Sequence, residues 1–297
     1  MSKTPSREPP PTRADVPASS EAWAEEVLQA LARQGDAPFD IAEGALALAA
    51  FDSPTDRLAF YRDHLSTMER DLADAMAKAE ADSPDAALRL VAINHVLFGL
   101  HGYSGDTDTY DDLQNANIIR VMDRRRGLPV ALGILMMHLA RSQGWDMQGL
   151  DFPGHFLLRF DVAGERIIVD PFDGGVPLDA PALRALLKAT AGNDAELQAR
   201  HYEPVSDRDV LLRLQNNIKL RLIKDQRVEE AAHIVESMLL LAPDRPTLWR
   251  ESGLMNAHIG KVRTAIAALE TYLQKETRDS PRREVATLVD ELRSSLH

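Results

Sequence analysis

Residues 126–138 read Arg-Gly-Leu-Pro-Val-Ala-Leu-Gly-Ile-Leu-Met-Met-His, an apolar run with one proline near its start. Proline fixes φ and lacks an N–H, so it suits the first helical position, where that N–H would have no intrahelical partner. A helix is therefore predicted from Pro129 to a stop near Gly144. It has almost no polar face, which predicts burial. Its apolar run ends at Ala140, far short of the ~20 residues that span a bilayer. Beyond Gly144 the texture changes. Residues 147–152, 155–160 and 166–170 are short apolar or alternating runs, separated by Pro153-Gly154 and by residues 161–164, and predict strands. A buried helix followed by a small antiparallel sheet, in a chain otherwise patterned as helix, indicates an α+β fold that is mostly helical.

The last two strands carry His155 and Asp170. If residues 161–164 form a four-residue connection, Phe160 faces Glu165 and His155 faces Asp170. Directly opposed side chains have Cβ atoms about 4.5–5.5 Å apart, near enough for imidazole and carboxylate to hydrogen-bond. Such a pair fixes the histidine tautomer and favours its protonated form, as the base and orienter of a catalytic triad require. A satisfied polar contact at a strand end is the plainer meaning of the same two residues.

Upstream, apolar residues recur at helical spacing over residues 21–76, and predict several helices. Ser83 as N-cap and Pro84 at the first position open another, through Leu88, Leu90 and Val91 to Phe98. A Gly- and Asp-rich loop follows at residues 101–110; it lacks the ligand spacing of an EF-hand, so no metal is expected. Arg124, Arg125 and Arg126 form the only basic run, read as a solvated loop, with an anion contact as the alternative. Downstream, residues 213–246 and 247–280 superimpose at a 34-residue period, with Leu220 on Leu254, Gln226 on Gly260, Val228 on Val262 and Ala231 on Ala265. That is the tetratricopeptide period, against a plain pair of helical hairpins; two units are fewer than a free-standing array needs, so they are expected to pack on the preceding region.

Composition closes several routes. The 297 residues include no cysteine, which removes disulfides, thiolate metal sites and thiol nucleophiles. A net charge of -12 argues against nucleic acid as a partner. The first residues carry no apolar signal segment, so with no membrane span a cytoplasmic protein is expected.

Three stretches carry a resemblance. Arg125-Arg-Gly-Leu-Pro-Val-Ala-Leu, Phe152-Pro-Gly-His-Phe-Leu-Leu-Arg-Phe and Ile168-Val-Asp-Pro-Phe-Asp-Gly-Gly resemble the core of the bacterial SirB-type proteins of the transglutaminase-like superfamily. Val96-Leu-Phe-Gly-Leu-His-Gly-Tyr-Ser-Gly, the N-terminal helices and the repeats extend it over nearly all of the chain beyond the tail. The resemblance implies a papain-like core of a helix on a small sheet, followed by tetratricopeptide-like hairpins. Residues 1–20, rich in Pro, Ser, Thr and charge, are expected to be a disordered tail, and the rest divides into an N-terminal helical region (21–92), a transglutaminase-like core (93–204) and repeats (205–297). Active relatives open the core helix with a cysteine in a Gly-x-Cys motif. Here Gly127-Leu128-Pro129 stands there, which puts Pro129 at the nucleophile's position, while His155 and Asp170 match the other two members. Related sequences often place serine two residues further on; this chain has Ala131.

A helix N-terminus lowers a thiol's pKa through its unpaired N–H groups and dipole. Proline keeps the helix start but offers no nucleophile, so the thioester route is closed. Ser104, Thr107, Thr109 and Tyr110 in the preceding loop are substitute hydroxyls, while His101 and His138 read as structural. The leading expectation is a non-catalytic, protein-interaction or regulatory module with no cofactor, binding a protein partner through the repeats or the core. Trp249 and Tyr272 are candidates for the walls of a repeat groove. The alternative is a hydrolase or acyl-transfer enzyme in which His155 and Asp170 activate water or a hydroxyl.

Overall fold

A computed structural model describes residues 19–79 and 85–295. Three helices open it: α1 (Ser20–Gln34), α2 (Ile41–Asp52) and α3 (Leu58–Lys78). Asp40 caps α2 by accepting from the N–H groups of Ala42 and Glu43, both at 3.1 Å. Nearly every residue of α2 from Ile41 to Ala50 is buried, so this helix lies inside the molecule. Helix α4 (Ala86–Asn94) runs on into a π-helical segment, His95–Leu100. Its cap is Asp85, accepting from Leu88 N at 2.8 Å; the Ser83 and Pro84 expected to open it, like the expected tail through residue 18, lie outside the described residues.

Two short strands, β1 (Ser104–Gly105) and β2 (Arg126–Gly127), pair in parallel and flank α5 (Ile118–Arg124). Helix α6 (Pro129–Ser142) starts where the proline predicts. Leu128 is extended (ψ 161°), as the residue before proline must be, and its carbonyl accepts from Leu132 N at 3.1 Å. From Val130 to Met137 every residue of α6 is buried, the packing expected of a helix without a polar face.

The sheet is an antiparallel meander of β3 (Asp146–Phe152), β4 (His155–Val162), β5 (Glu165–Asp170) and β6 (Val176–Leu178). Alternation along β4 splits its side chains between two cores. Phe156, Leu158, Phe160 and Val162 join α6 in the large core. Leu157 joins Leu150, Phe152 and Ile168 in a smaller one, closed by Leu183 and Leu187 of α7 (Ala180–Ala191). Gly133 lets α6 sit close to the sheet: a Cβ there would come within 2.5 Å of the Phe156 ring.

The β4–β5 register differs from the expected one. Val162 pairs with Glu165 and Leu158 with Val169, so the turn is the two residues Ala163-Gly164 rather than four. Both have positive φ, 50° and 89°, which matches the turn type whose twist suits a hairpin. His155 therefore pairs with Phe152 across Pro153-Gly154 and is not opposite Asp170.

Helices α8 (Asp207–Lys224) and α9 (Val228–Leu241) form one hairpin, α10 (Pro246–His258) and α11 (Val262–Lys275) a second, and α12 (Asp279–Ser294) follows. The repeat is reproduced in detail. Gln226 and Gly260, superimposed in the sequence, both have positive φ (61° and 78°), and Ala231 and Ala265 are both fully buried. Arg227 N donates to Leu222 O and Lys261 N to Asn256 O, each at 2.8 Å. The large core is continuous from Ala24 in α1 to Leu248 in α10, with residues of α8 and α9 packed among those of α2 and α6.

Candidate functional site

The N-terminus of α6 is built from three segments distant in sequence. Asp106 N donates to Gly127 O at 3.2 Å, Ser104 N to Arg125 O at 2.9 Å, and Leu128 N to Asn115 O at 2.9 Å. The loop between β1 and α5 is held from within by Asp106, which is fully buried. Its carboxylate accepts from Thr109 N (2.9 Å), Thr109 Oγ1 (2.7 Å) and Arg124 Nη2 (2.8 Å). Burial opposes ionisation of Asp106, but hydrogen bonds from Thr109, Arg124 and Asn115 outweigh it and hold the acid well below the usual carboxylate range.

The arginine run is not a solvated loop. Arg124 is bound to Asp106, and its Nη1 donates to Asn115 Oδ1 at 2.8 Å. Arg125, left-handed at φ 59°, caps α5 and reaches both His64 and the Tyr103 hydroxyl. Arg126 pairs with Asp108 at 2.9 Å. Each guanidinium meets a different partner inside the chain because a helix end and a strand point consecutive side chains in different directions.

Around Arg125 lies a polar cluster that the sequence reading did not find. His64 Nε2 is 2.9 Å from the Tyr103 hydroxyl, and the His64 and His101 ring centroids are 5.2 Å apart. Burial, with Arg125 and His101 nearby, pushes His64 down to about 4, and burial lifts Tyr103 to about 12. His101 is bonded to Asp71 at 2.7 Å, and His138 Nε2 lies 2.9 Å from Glu69, so each faces a carboxylate. The partners are dozens of residues apart, a separation that carries no spacing signal.

Pro129 is half-buried at the first position of α6, and Ala131 is fully buried beneath it. Neither side chain carries a polar atom. Asp170 Oδ1 accepts from Phe172 N at 2.9 Å, and Asp170 O accepts from Gly175 N at 3.0 Å, so this aspartate folds its own loop. The loop packs on the one before α5: Phe172 meets Tyr110 edge-on at 5.6 Å, and a Cβ on Gly105 would touch the Phe172 ring at 2.7 Å. Asn94 Nδ2 holds it from α4 by donating to Gly175 O at 2.9 Å.

His155 is half-buried, and its side chain has no hydrogen bond or ion pair among the described residues. Strand alternation puts it with Leu157 on the face that carries α7, whereas α6 packs on the other face through Phe156 and Leu158. If the β4–β5 register continued one step, Leu157 would face Asp170. His155 would then stand diagonally from Asp170, at a spacing of about 7–8 Å. In that register the two would be diagonal neighbours, and no hydrogen bond joins their side chains among the described residues. Of the substitute hydroxyls, Thr109 is committed to Asp106, while Ser104 and Thr107 are exposed.

In the repeats, Trp249 lines a groove of about 840 Å³ between α1, α9, α10 and α11. Its Nε1 donates to Pro243 O at 2.9 Å. Tyr272 does not reach a groove. It is 2% exposed and packs with Leu269, Val285 and Val289, because it faces α12. Among the described residues no group of acidic or histidine side chains is arranged to hold a metal, and no helix is long and apolar enough to cross a membrane.

A buried helix with a Gly-x-x start, a following meander with the His155 and Asp170 motifs, and helical hairpins behind them define the class. Residues 60–216 match the model of the transglutaminase-like superfamily, and residues 218–293 match a tetratricopeptide repeat model. The chain belongs to the transglutaminase-like superfamily. It is similar to the UPF0162 protein of Xylella fastidiosa, 35% identical over 190 residues that cover 63% of this chain and 68% of that one. It is also similar to the UPF0162 protein of Vibrio cholerae, 28% identical over 236 residues (79% and 86% covered). Protein SirB1 of Salmonella typhimurium is 24% identical over 181 residues (61% and 67% covered).

Proposed function

We propose that this chain is a non-catalytic member of its superfamily that works as a protein-interaction or regulatory module. The observation that carries the reading is Pro129 at the first position of α6, where the superfamily's nucleophile would stand, in a chain without cysteine. Two further features support it. Ala131 is buried and without a hydroxyl, and the Asp170 carboxylate is engaged by Phe172 N rather than by His155. The partner surface in this reading is the groove beside Trp249. Leu239, Leu240 and Ala267 give it apolar walls, and Glu21, Glu25 and Glu236 outnumber Arg33 on its edge, a combination suited to a basic, amphipathic peptide.

The test has two arms. Purified protein incubated with panels of amide, ester and peptide substrates is expected to turn over none; turnover abolished by His155→Ala would overturn the reading. In affinity capture from native extract, Ala267→Arg fills the groove at an exposed position and is expected to release the partner that the wild type retains. Equal capture by both would move the partner site away from the repeats.

A further inference from the structure

Helix α10 borders two separate spaces. Trp249 and Ser252 line the groove described above, while Thr247, Leu248 and Glu251 line a second cavity of about 510 Å³, bounded also by α8, by Met238 of α9 and by residues 150–151 of β3. Of the residues that line it, Leu212, Met238 and Leu248 are buried and form an apolar floor, whereas Asp151 and Thr247 are exposed at its mouth. A cavity of this size suits a small organic molecule, and such sites combine apolar surface with a few placed polar groups.

The polar wall consists mainly of three ion pairs. Lys219 Nζ donates to Glu251 Oε2 at 2.6 Å, Arg245 Nη2 to Asp209 Oδ1 at 2.9 Å, and Arg213 Nη1 to Asp151 Oδ1. Their charges balance, so an ion of one sign would meet as many like charges as opposite ones. Hydrogen-bonding capacity of both kinds is nevertheless left over. Arg213 and Arg245 each engage one side-chain N–H of the five that a guanidinium carries, and Glu251 Oε1 accepts no hydrogen bond among the described residues. These groups reach solvent: 28% of the Arg213 side chain, 40% of Arg245 and 37% of Glu251 is exposed. Asn216 is half-buried, and its amide makes no hydrogen bond among the described residues.

Asn216 stands three residues from Arg213 and three from Lys219, so the face of α8 that lines the cavity reads cation, amide, cation. That wall suits a carboxylate, which accepts from Asn216 Nδ2 and from the Arg213 guanidinium in charge-assisted hydrogen bonds. Glu251, across on α10, suits an ammonium group. A ligand that carries both groups meets both walls and brings no net charge into balanced surroundings. We infer that this cavity binds a zwitterion with an aliphatic side chain, an amino acid or a short peptide. Its carboxylate lies against Asn216 and Arg213, its ammonium against Glu251, and its hydrocarbon on Leu212, Met238 and Leu248.

The probes are L-leucine and L-leucyl-L-leucine, titrated into the full-length protein at constant pH and ionic strength and followed by methyl NMR of Leu212, Met238 and Leu248. Saturable shifts at these methyls are expected, with leucine if the site takes a free amino acid and with the dipeptide alone if it takes a peptide. Isocaproate lacks the ammonium group of leucine and isoamylammonium lacks its carboxylate; each should bind at least tenfold more weakly than the zwitterion. Asn216→Ala removes an amide that bonds to nothing else among the described residues. Its circular dichroism should match the wild type, and its affinity for the saturating probe should fall at least tenfold, as expected for the loss of a hydrogen bond to a charged group. The absence of saturable shifts with both probes, an analogue that binds as tightly as the zwitterion, or unchanged affinity in a folded Asn216→Ala protein would each overturn the assignment.

Discussion

Gly175 shows how much a single side chain governs the loop after β5. Its φ is +74°, and a Cβ there would stand 2.1 Å from Asn94 Oδ1. A left-handed residue with a side chain costs about 1–2 kcal/mol before any clash. Gly175→Ala is therefore expected to lower stability by about 3 kcal/mol in chemical denaturation, with Asn94→Ala in the same chain recovering part of the loss; a change below about 1 kcal/mol would show that the loop is not pinned there. Asp170 leads to the opposite expectation. Its carboxylate accepts one backbone hydrogen bond, and the amide oxygen of Asn accepts it as well. Asp170→Asn should cost less than about 0.5 kcal/mol, whereas breaking a buried imidazole–carboxylate pair would cost several times more. The misjudged register has a residue-scale cause. Two-residue hairpin turns with both φ values positive favour Asn-Gly or Gly-Gly, and Ala163 hides that signal. Ala163→Gly should thus stabilise the protein by up to about 1 kcal/mol, read as a raised Tm, and a lowered Tm would count against the turn.

Among elements, those that announce themselves locally were legible and those completed across the chain were not. Helix α6 was readable because its cues, a proline start and a continuous apolar run, lie within 14 residues. The repeats were readable because a period needs only the sequence itself, down to the left-handed pair Gln226 and Gly260. The junction of α2 with α9 was invisible: Asp52, Gln215 and His233 acquire meaning only when three helices meet. That junction should make stability depend on pH. Burial lifts Asp52 from its ordinary 3.8 to about 7, against the Gln215 hydrogen bond and the His233 charge, so the stability associated with its protonated form is full below about pH 4 and is lost as pH rises through 7. His233 acts in the same direction. Its hydrogen bond to Glu236 raises its pKa against burial, with Asp52 assisting, so its contribution is complete below about 6.5 and is lost above the raised folded value. Glu229, Glu230 and Arg120 also face the cavity at this junction, and hydrogen bonds from Arg227 hold Glu230 low against the opposing effect of burial. Between pH 5 and pH 8 the wild type should lose on the order of 2 kcal/mol that Asp52→Asn retains. Parallel denaturation profiles for the two proteins would exclude Asp52 as the source.

For the whole molecule, the question is whether the repeats are an appendage or a wall of the core. Val210, Leu211, Leu214 and Ile218 of α8 and Ile234 and Val235 of α9 belong to the same buried cluster as Ala45, Leu46, Leu135 and Leu139 of α2 and α6. The first turn of α8 adds a polar seam to this apolar one. Asp207 is 5% exposed; its Oδ2 accepts from Phe39 N at 3.1 Å and from Arg141 Nη1 at 2.7 Å, and its Oδ1 from Arg141 Nη2 at 2.8 Å. Arg141 also donates to Met147 O at the start of β3, through Nε at 3.2 Å and Nη2 at 3.1 Å. One carboxylate thus ties the segment before α2, the end of α6 and the start of the repeats, with the sheet joined through the same guanidinium. A bidentate Arg–carboxylate pair is geometrically demanding, and removing one partner leaves the other charge poorly solvated. Because Arg141 keeps a quarter of its side chain in solvent, the loss should lie near the low end for such pairs. Asp207→Ala is expected to cost about 3 kcal/mol, and Asp207→Asn less, since it retains acceptors without the charge. With Trp23 and Trp249 replaced by Phe, the fluorescence of Trp145 reports on the α6–β3 corner, while far-UV circular dichroism is dominated by the helices, including the repeats. If α8 is a wall of the core, the two signals will move together in one denaturant transition, shifted equally by Asp207→Ala. Two separated transitions, with only the fluorescence shifted, would instead describe repeats that fold independently of the domain they are joined to.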